Sequence, residues 1–276
     1  MRAARLRTPQ LEALTALLSR EPVVNLFLLD LLTRRGMGSW RFEEWYGVFD
    51  GDVMISAALL IGREAPGGAA RLGVAYGADE GCVLIGQRAR WSGPVDMLIG
   101  HRAASDALWE GLEGAEPSVF FDQRLYTCRG VPGGEELALR AARPEEAAQL
   151  EALSGQMMVE DLGVDPRVSE PVRHRLAVAG RISGGRTLVA DINGEICFIL
   201  DIGTRQPHGA QVGGTFVPER FRGRGVATCG MRSAVKRLLA AHDSVSLHVN
   251  EANLPAIRCY ERVGFQRGVP FRLLIR

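Results

Sequence analysis

The sequence predicts an α/β protein of two domains. Three observations carry this reading: a length of 276 residues, a helix–helix–hairpin order that occurs twice, and a strand–glycine loop–helix segment in the second half. At this length two domains of ordinary size are favoured over one large core. Hydrophobic residues at 46% and charged residues at 24% are those of a soluble globular chain. No run approaches the roughly 18 uninterrupted apolar residues of a membrane span. The apolar run over residues 23–32 is broken by Asn25 and Asp30 and lacks the small-residue cleavage site of a signal peptide.

In the first half, Leu11, Leu14, Leu17 and Leu18 recur at helical spacing behind Thr8-Pro9, and residues 25–32 form a second, more buried helix. Residues 46–55 then read as two β-prone stretches joined through Asp50-Gly51, a strong hairpin signal. Strands follow at 71–76, 95–99 and 118–126, with helices at 80–90 and 105–112, an α/β alternation. Trp40, Trp45 and Trp91 are assigned to the core rather than to a binding cleft. Arg129-Gly130-Val131-Pro132-Gly133-Gly134 is the clearest cluster of breakers and places a linker between domains 1–130 and 137–276.

The second half repeats the order. Pro144, Glu145 and Glu146 open a helix whose acidic first turn suits the helix dipole. Another helix covers 171–182, and residues 187–198 form a hairpin around Asn193-Gly194. The two hairpins stand about 140 residues apart, as an internal duplication or two unrelated α/β halves would place them. Residues 210–217 are a strand stopped by Pro218, which cannot donate to a sheet ladder. After it comes Arg222-Gly223-Arg224-Gly225-Val226-Ala227-Thr228, and then Met231, Ala234, Val235, Leu238 and Leu239 at helical spacing.

A glycine loop that opens a helix suits an anion, because the first turn presents unpaired N–H groups, the dipole favours negative charge and glycine admits close approach, though by itself it also reads as an ordinary basic turn capped by glycine. The spacing fits neither a Walker-type triphosphate loop nor a dinucleotide fingerprint. Arg220, Arg222 and Arg224 can pair with phosphate at its mouth. Downstream, residues 245–249 are a strand, and Asn250-Glu251-Ala252-Asn253-Leu254-Pro255-Ala256 opens a helix carrying Tyr260 and ending at Gly264-Phe265.

These residues resemble the GNAT acetyltransferase superfamily. Its pyrophosphate motif, Gln/Arg-x-x-Gly-x-Gly/Ala, is matched by Arg222, Gly225 and Ala227. Its second motif is matched by Asn253, Ala256, Tyr260, Gly264 and Phe265. The resemblance implies two GNAT-like domains in tandem, each a central mixed β-sheet flanked by helices, the first degenerate because it carries neither motif. It implies acetyl-CoA as co-substrate, held by the backbone of Thr215, Phe216 and Val217, by Arg222, by the backbone N–H groups of Gly223, Arg224, Gly225, Val226, Ala227 and Thr228, and by Asn253. It also implies Tyr260 as the acid that protonates the departing thiolate. A base is expected at His248, where several relatives carry Glu. A group titrating near neutrality would suit that task, and Glu251 and the pair Glu160-Asp161 compete with it.

The expected reaction is direct transfer of an acetyl group to a primary amine in a ternary complex. The alternatives are a non-catalytic acyl-CoA sensor and a transferase of a longer acyl or aminoacyl group. The acceptor is a small-molecule or peptide amine, with the N-terminal half expected to help choose it. With 33 Lys and Arg against 32 Asp and Glu, neither nucleic acid nor a membrane is expected as partner. Five separated cysteines and five histidines without metal-ligand spacing predict no metal, and the cysteines fit a cytoplasmic chain; a monomer or homodimer is expected. Cys229 and Cys259 are expected as packing residues.

Overall fold

The computed structural model describes residues 1–37, 42–62, 71–114 and 116–276. Trp40 lies outside them. The chain opens with a short strand, β1 (Ala3–Arg5), and Thr8-Pro9 starts a 3-10 turn that leads into α1 (Leu11–Leu18) and then α2 (Leu26–Arg35). Leu14, Leu17 and Leu18 are the buried face of α1, as their i, i+3, i+4 spacing requires. β2 (Glu43–Asp50) and β3 (Val53–Ile61) form the first hairpin, with Asp50 opposite Val53. Its two loop residues are therefore Gly51 and Asp52, one position beyond the Asp-Gly dipeptide, and Gly51 takes the left-handed φ of +58°. β4 (Leu72–Gly77), α3 (Asp79–Ala89), β5 (Met97–His101), α4 (Arg102–Gly111) and β6 (Val119–Cys128) follow the expected alternation.

After the breaker cluster come β7 (Arg140–Ala141), α5 (Ala147–Leu162), the single turn α6 (Pro166–Ser169) and α7 (Pro171–Ser183). The second hairpin joins β8 (Thr187–Ile192) to β9 (Glu195–Gln206), with Ile192 opposite Glu195. Asn193 and Gly194 both have positive φ, +52° and +82°, the pair of left-handed residues that a type I′ loop demands. β10 (Gly209–Phe216), α8 (Val226–Leu239), β11 (Val245–Asn250), α9 (Leu254–Val263) and a final strand, β12 (Gln266–Ile275), complete the chain.

These elements group into two compact units that are not colinear with the chain. The first comprises Met1–Leu125, His248–Asn253 and Arg267–Arg276, and the second Tyr126–Leu247 and Leu254–Gln266. In the first, the strands run β1-β2-β3-β4-β5-β12, parallel only between β4 and β5. Successive residues of β3 face opposite cores, as a two-residue period dictates. Ala57 and Leu59 join α1, α2 and Trp45 on one side, and Ala58 and Leu60 join α3 and α4 on the other. Trp45 is 2% exposed, whereas Trp91, expected in the core, is 78% exposed. It lies in the surface turn after α3, under the Arg90 guanidinium at 4.9 Å.

In the second unit β7-β8-β9-β10-β11 are consecutive, antiparallel except for β10 and β11, which pair in parallel. One face packs Leu150 of α5 and Val178 and Ile182 of α7 against Val189, Ile196 and Ile199. On α8, Gly230 lies over the ring of Phe198, 2.6 Å from where a Cβ would stand, so the close approach of helix to strand depends on that glycine. Both units are thus mixed sheets flanked by helices. Among the described residues no helix is long and apolar enough to cross a membrane.

Candidate active site

Gly213-Gly214 inside β10 is a sequence signal for a bulge, since glycine weakens a regular ladder. The register supplies one: Gly213 stands opposite Asp201 and Phe216 opposite Ile199, so β10 carries an extra residue there. Gly214 adopts φ +55°, and a Cβ on it would come within 2.8 Å of the Asp201 carboxylate. Asp201 is held by the Thr187 hydroxyl at 2.6 Å and by Arg181 at 2.9 Å, and burial raises its pKa. On its other edge β10 registers with β11 only through Ala210↔Val245 and Gln211↔Ser246. The backbone of Thr215 and Phe216 stands outside that parallel ladder. Phe216 and Val217 bury their side chains, so whatever these residues offer a ligand is main chain.

From Pro218 the chain makes a short turn (Glu219–Phe221) and reaches α8 through two left-handed glycines, Gly223 at φ +73° and Gly225 at +78°. No atom lies within 4 Å of a Cβ built on either. Gly225 is the N-cap of α8, and the first bond of the helix runs from Cys229 N–H to the Gly225 carbonyl. The amides of Val226, Ala227 and Thr228 therefore leave the helix start without intrahelical partners, at the positive end of its dipole. This stretch of loop and first turn is shaped to accept a phosphate group.

The three arginines expected at its mouth have different situations. Arg222 donates Nε to the Val217 carbonyl at 2.8 Å and Nη2 to both Glu160 oxygens at 2.9 and 2.7 Å, and its guanidinium lies 5.3 Å from the Phe216 ring. It clasps the loop to the strand end and to α5. Arg220 pairs with Glu195 at 3.0 Å. Arg224, exposed at the loop tip, has no hydrogen bond or ion pair among the described residues and is the arginine free to meet an anion. The clasp escaped sequence reading because its partners are 62 residues apart.

Tyr260 is half-buried on α9, its ring 5.8 Å from Phe265. Burial pushes its phenol up, assisted by nearby Cys259 and Asp161, while a hydrogen bond with the Thr215 side chain pulls the other way. The net effect keeps the hydroxyl protonated at neutral pH, the state an acid needs. Cys259 accepts a hydrogen bond from the Thr228 hydroxyl at 3.5 Å, and burial raises its thiol, which fits a packing residue rather than a nucleophile. A cavity of about 490 Å³ opens beside this loop, between Leu153, Gln156, Val159 and Glu160 of α5 and Phe216 and Pro218.

His248 and Asn253 belong to the first compact unit. His248 is stacked on Phe271 with ring centroids 4.1 Å apart, and burial lowers its imidazole to about 4. Desolvation disfavours the imidazolium there. Glu251 is ion-paired with Arg102 at 3.1 Å, Arg267 at 3.1 Å and Arg124 at 2.5 Å. Hydrogen bonds from these guanidiniums outweigh desolvation and hold it near 2. Asn253 is exposed, one residue before α9. Among the described residues no three His, Cys, Asp or Glu side chains gather as a metal site would need.

Comparisons with known proteins agree with this geometry. Residues 156–265 match the model of the Acetyltransferase (GNAT) family, a span that includes the α8 loop, His248, Asn253 and Tyr260. No curated protein matches the sequence. Among solved structures, the chain is similar to a GCN5-related N-acetyltransferase from Sphaerobacter thermophilus, with 17% identity, TM-score 0.62, and 99% of this chain and 94% of that one covered. It is similar to an acetyltransferase of the GNAT family from Colwellia psychrerythraea, with 13% identity and TM-score 0.60 over the whole of both chains. It is also similar to a tandem GNAT protein from the clavulanic acid biosynthesis pathway, with 16% identity, TM-score 0.56, and 99% and 97% covered. At such identities these likenesses show the fold, which extends over the full chain, and residues 156–265 form a GNAT-family domain.

Proposed function

We propose that the protein transfers an acetyl group from acetyl-CoA to a primary amine, directly and without an acyl-enzyme. The observation that carries this reading is that one compact unit holds both a glycine-capped helix start with unpartnered amides and a phenol kept protonated by burial. Acetyl-CoA supplies a thioester, an acyl group already activated for attack. The amides of Gly223 to Thr228 and the Arg224 guanidinium would hold its pyrophosphate, Arg222 would help once released from Glu160, and the bulged strand end at Thr215, Phe216 and Val217 would hold the pantetheine arm. The open glycines and the unladdered edge of β10 fit those groups.

Tyr260 donates its proton to the leaving sulfur. The ordinary phenol, near 10, is not far above a thiol, and burial raises Tyr260 further, so its proton stays in place until a basic thiolate departs. Burial lowers the imidazole of His248, which makes it a weak base for an alkylammonium.

The test is amine-dependent release of CoA thiol across a panel of primary amines, with Tyr260→Phe in parallel. Turnover by the wild-type chain and a loss of about 100-fold in kcat for the variant are expected. Full turnover by Tyr260→Phe overturns the acid assignment. Tight acetyl-CoA binding without thiol release from any amine would instead mark a sensor, and release only from longer acyl-CoA thioesters would reassign the acyl group.

A further inference from the structure

The cavity of about 490 Å³ beside the phosphate loop is lined wholly by residues of the second compact unit. Its volume falls in the range, roughly 300–1,000 Å³, of small-molecule sites in general. Leu153 and Val159 of α5 and Phe216 and Pro218 at the end of β10 give it apolar walls. The other lining residues are polar: Gln156, Glu160, Arg167, Glu219 and Arg220. What the cavity attracts depends on which of these groups are already compensated.

Three of the four charges are. Arg167 donates Nε and Nη2 to the two Asp165 oxygens, each at 2.8 Å. Arg220 donates Nε to Glu195 at 3.0 Å, and Glu160 accepts from Arg222 through both oxygens. Each pair is neutral as a unit, and in each the partner stands outside the cavity lining. Glu219 differs, since its side chain has no hydrogen bond or ion pair among the described residues, and the Gln156 amide is equally uncommitted. The main chain under Glu219 is fixed nonetheless: its carbonyl accepts from Arg222 N–H at 3.0 Å, and the Pro218 carbonyl accepts from Phe221 N–H at 2.9 Å. One uncompensated carboxylate is thus held on a hydrogen-bonded turn at the edge of an apolar cavity.

We propose, on the acetyl-transfer reading above, that this cavity receives the acceptor, and that the acceptor is a primary amine with an apolar body and a second cationic group, which Glu219 holds. Phe216 lines the cavity and also belongs to the strand end given to the pantetheine arm on that reading, so acceptor and cofactor share a wall.

The need for a second charge follows from the chemistry of attack. A carboxylate paired with an ammonium favours its charged form, yet the reacting nitrogen must shed a proton to free its lone pair. The nitrogen held by Glu219 is therefore not the one that is acetylated. A molecule with one amine gains from Glu219 only in its unreactive state, whereas one with two cations uses the first as a handle and the second as nucleophile. In the transfer the C–N bond forms as the C–S bond breaks, sulfur takes one proton and solvent another, and the held ammonium is unchanged.

The experiment uses three amines with one aromatic body, xylylenediamine, methylbenzylamine and aminomethylbenzoate, whose second groups are cationic, neutral and anionic at neutral pH. Wild-type kcat/KM, read from release of CoA thiol, should be about ten-fold higher for the diamine than for methylbenzylamine, a charge-assisted contact discounted for its exposure, and lowest for the benzoate. Glu219→Gln, which keeps the shape and removes the charge, should erase that order, and Glu219→Asp should keep part of it. Val159→Trp, which fills the cavity from an exposed position of α5, should lower kcat/KM for all three amines and leave acetyl-CoA affinity unchanged. Equal wild-type values for the diamine and methylbenzylamine, or a diamine preference that survives Glu219→Gln, overturn the inference and leave acetyl transfer in place. If no amine releases thiol, the acetyl-transfer reading fails, and calorimetry of the three amines on the same chain decides the cavity separately. A diamine preference that Glu219→Gln erases there keeps the cation site, and its absence overturns that site as well.

Discussion

Each half of the chain turns from a strand into a helix at an equivalent point in its order, and the two turns are built differently. β5 passes into α4 with no intervening residue: His101 is the N-cap and Arg102 already helical. β10 reaches α8 through nine residues, two of them left-handed glycines. At the start of α4 the local charges are neutralised from within, since Arg102 lies 3.2 Å from Asp122 and 3.1 Å from Glu251. At the start of α8 the amides face outward and Arg224 is unpaired. A helix dipole is common to both, so the dipole alone does not make an anion site. Conformational access and an uncommitted positive charge make the difference.

The strongest way to break this contrast is to remove the access. Gly225→Val places a β-branched residue at φ +78°, a conformation that costs an L-residue about 1–2 kcal/mol and shifts the first amides of α8. Acetyl-CoA affinity should fall by about five- to thirty-fold, since 1.4 kcal/mol is a factor of ten. Arg102→Ala at the other helix start should leave it unchanged in the same titration calorimetry. Equal losses from both variants would mean that the two helix starts share the ligand.

Next in size is the free charge. Arg224→Ala should weaken acetyl-CoA by about five- to ten-fold, a charge-assisted bond discounted for its exposure, and the loss should shrink at high salt. Arg220→Ala, whose guanidinium is already paired with Glu195, should change affinity by less than two-fold on this argument.

The internal neutralisation of the α4 start gives a prediction in pH. Glu251 is lowered from 4.5 to about 2 by its arginine partners. A carboxyl depressed on folding adds stability above its unfolded pKa, and that stability is lost as pH falls through the folded value. Wild type should therefore lose stability between about pH 4.5 and 2, and Glu251→Gln, already less stable at pH 7, should show a flatter slope across that window in urea melts. An unchanged slope would show that Arg102, Arg124 and Arg267 do not depress the Glu251 carboxyl on folding.

What could be read from the sequence follows the range of the signals. Asn193-Gly194, the spacing of α1 and the Arg222 to Ala227 loop act within a few residues and were legible as such. β12 was not, because Pro270 and the polar run before it contradict a strand pattern. For His248 the alternation of a strand gives a face, but the Phe271 ring stacked on it comes from another strand. Asp161 and Glu160 read alike as an acidic pair. Only the fold separates them, by bringing Arg222 to one and leaving the other unpaired.

The smallest predicted effect concerns that separation. The Arg222–Glu160 pair is exposed, at 42% and 49% for the two side chains, and a pair of this kind contributes about 0.2–1 kcal/mol. Glu160→Gln should accordingly lower the melting temperature only slightly. Its effect on acetyl-CoA should have the opposite sign. The change removes a carboxylate beside the phosphate loop and releases the Arg222 fork, and both favour an incoming anion, so affinity should rise by about two-fold. Weaker binding would mean that the clasp serves to hold the loop in its binding conformation, and that Arg222 acts through Glu160 and Val217 rather than through phosphate.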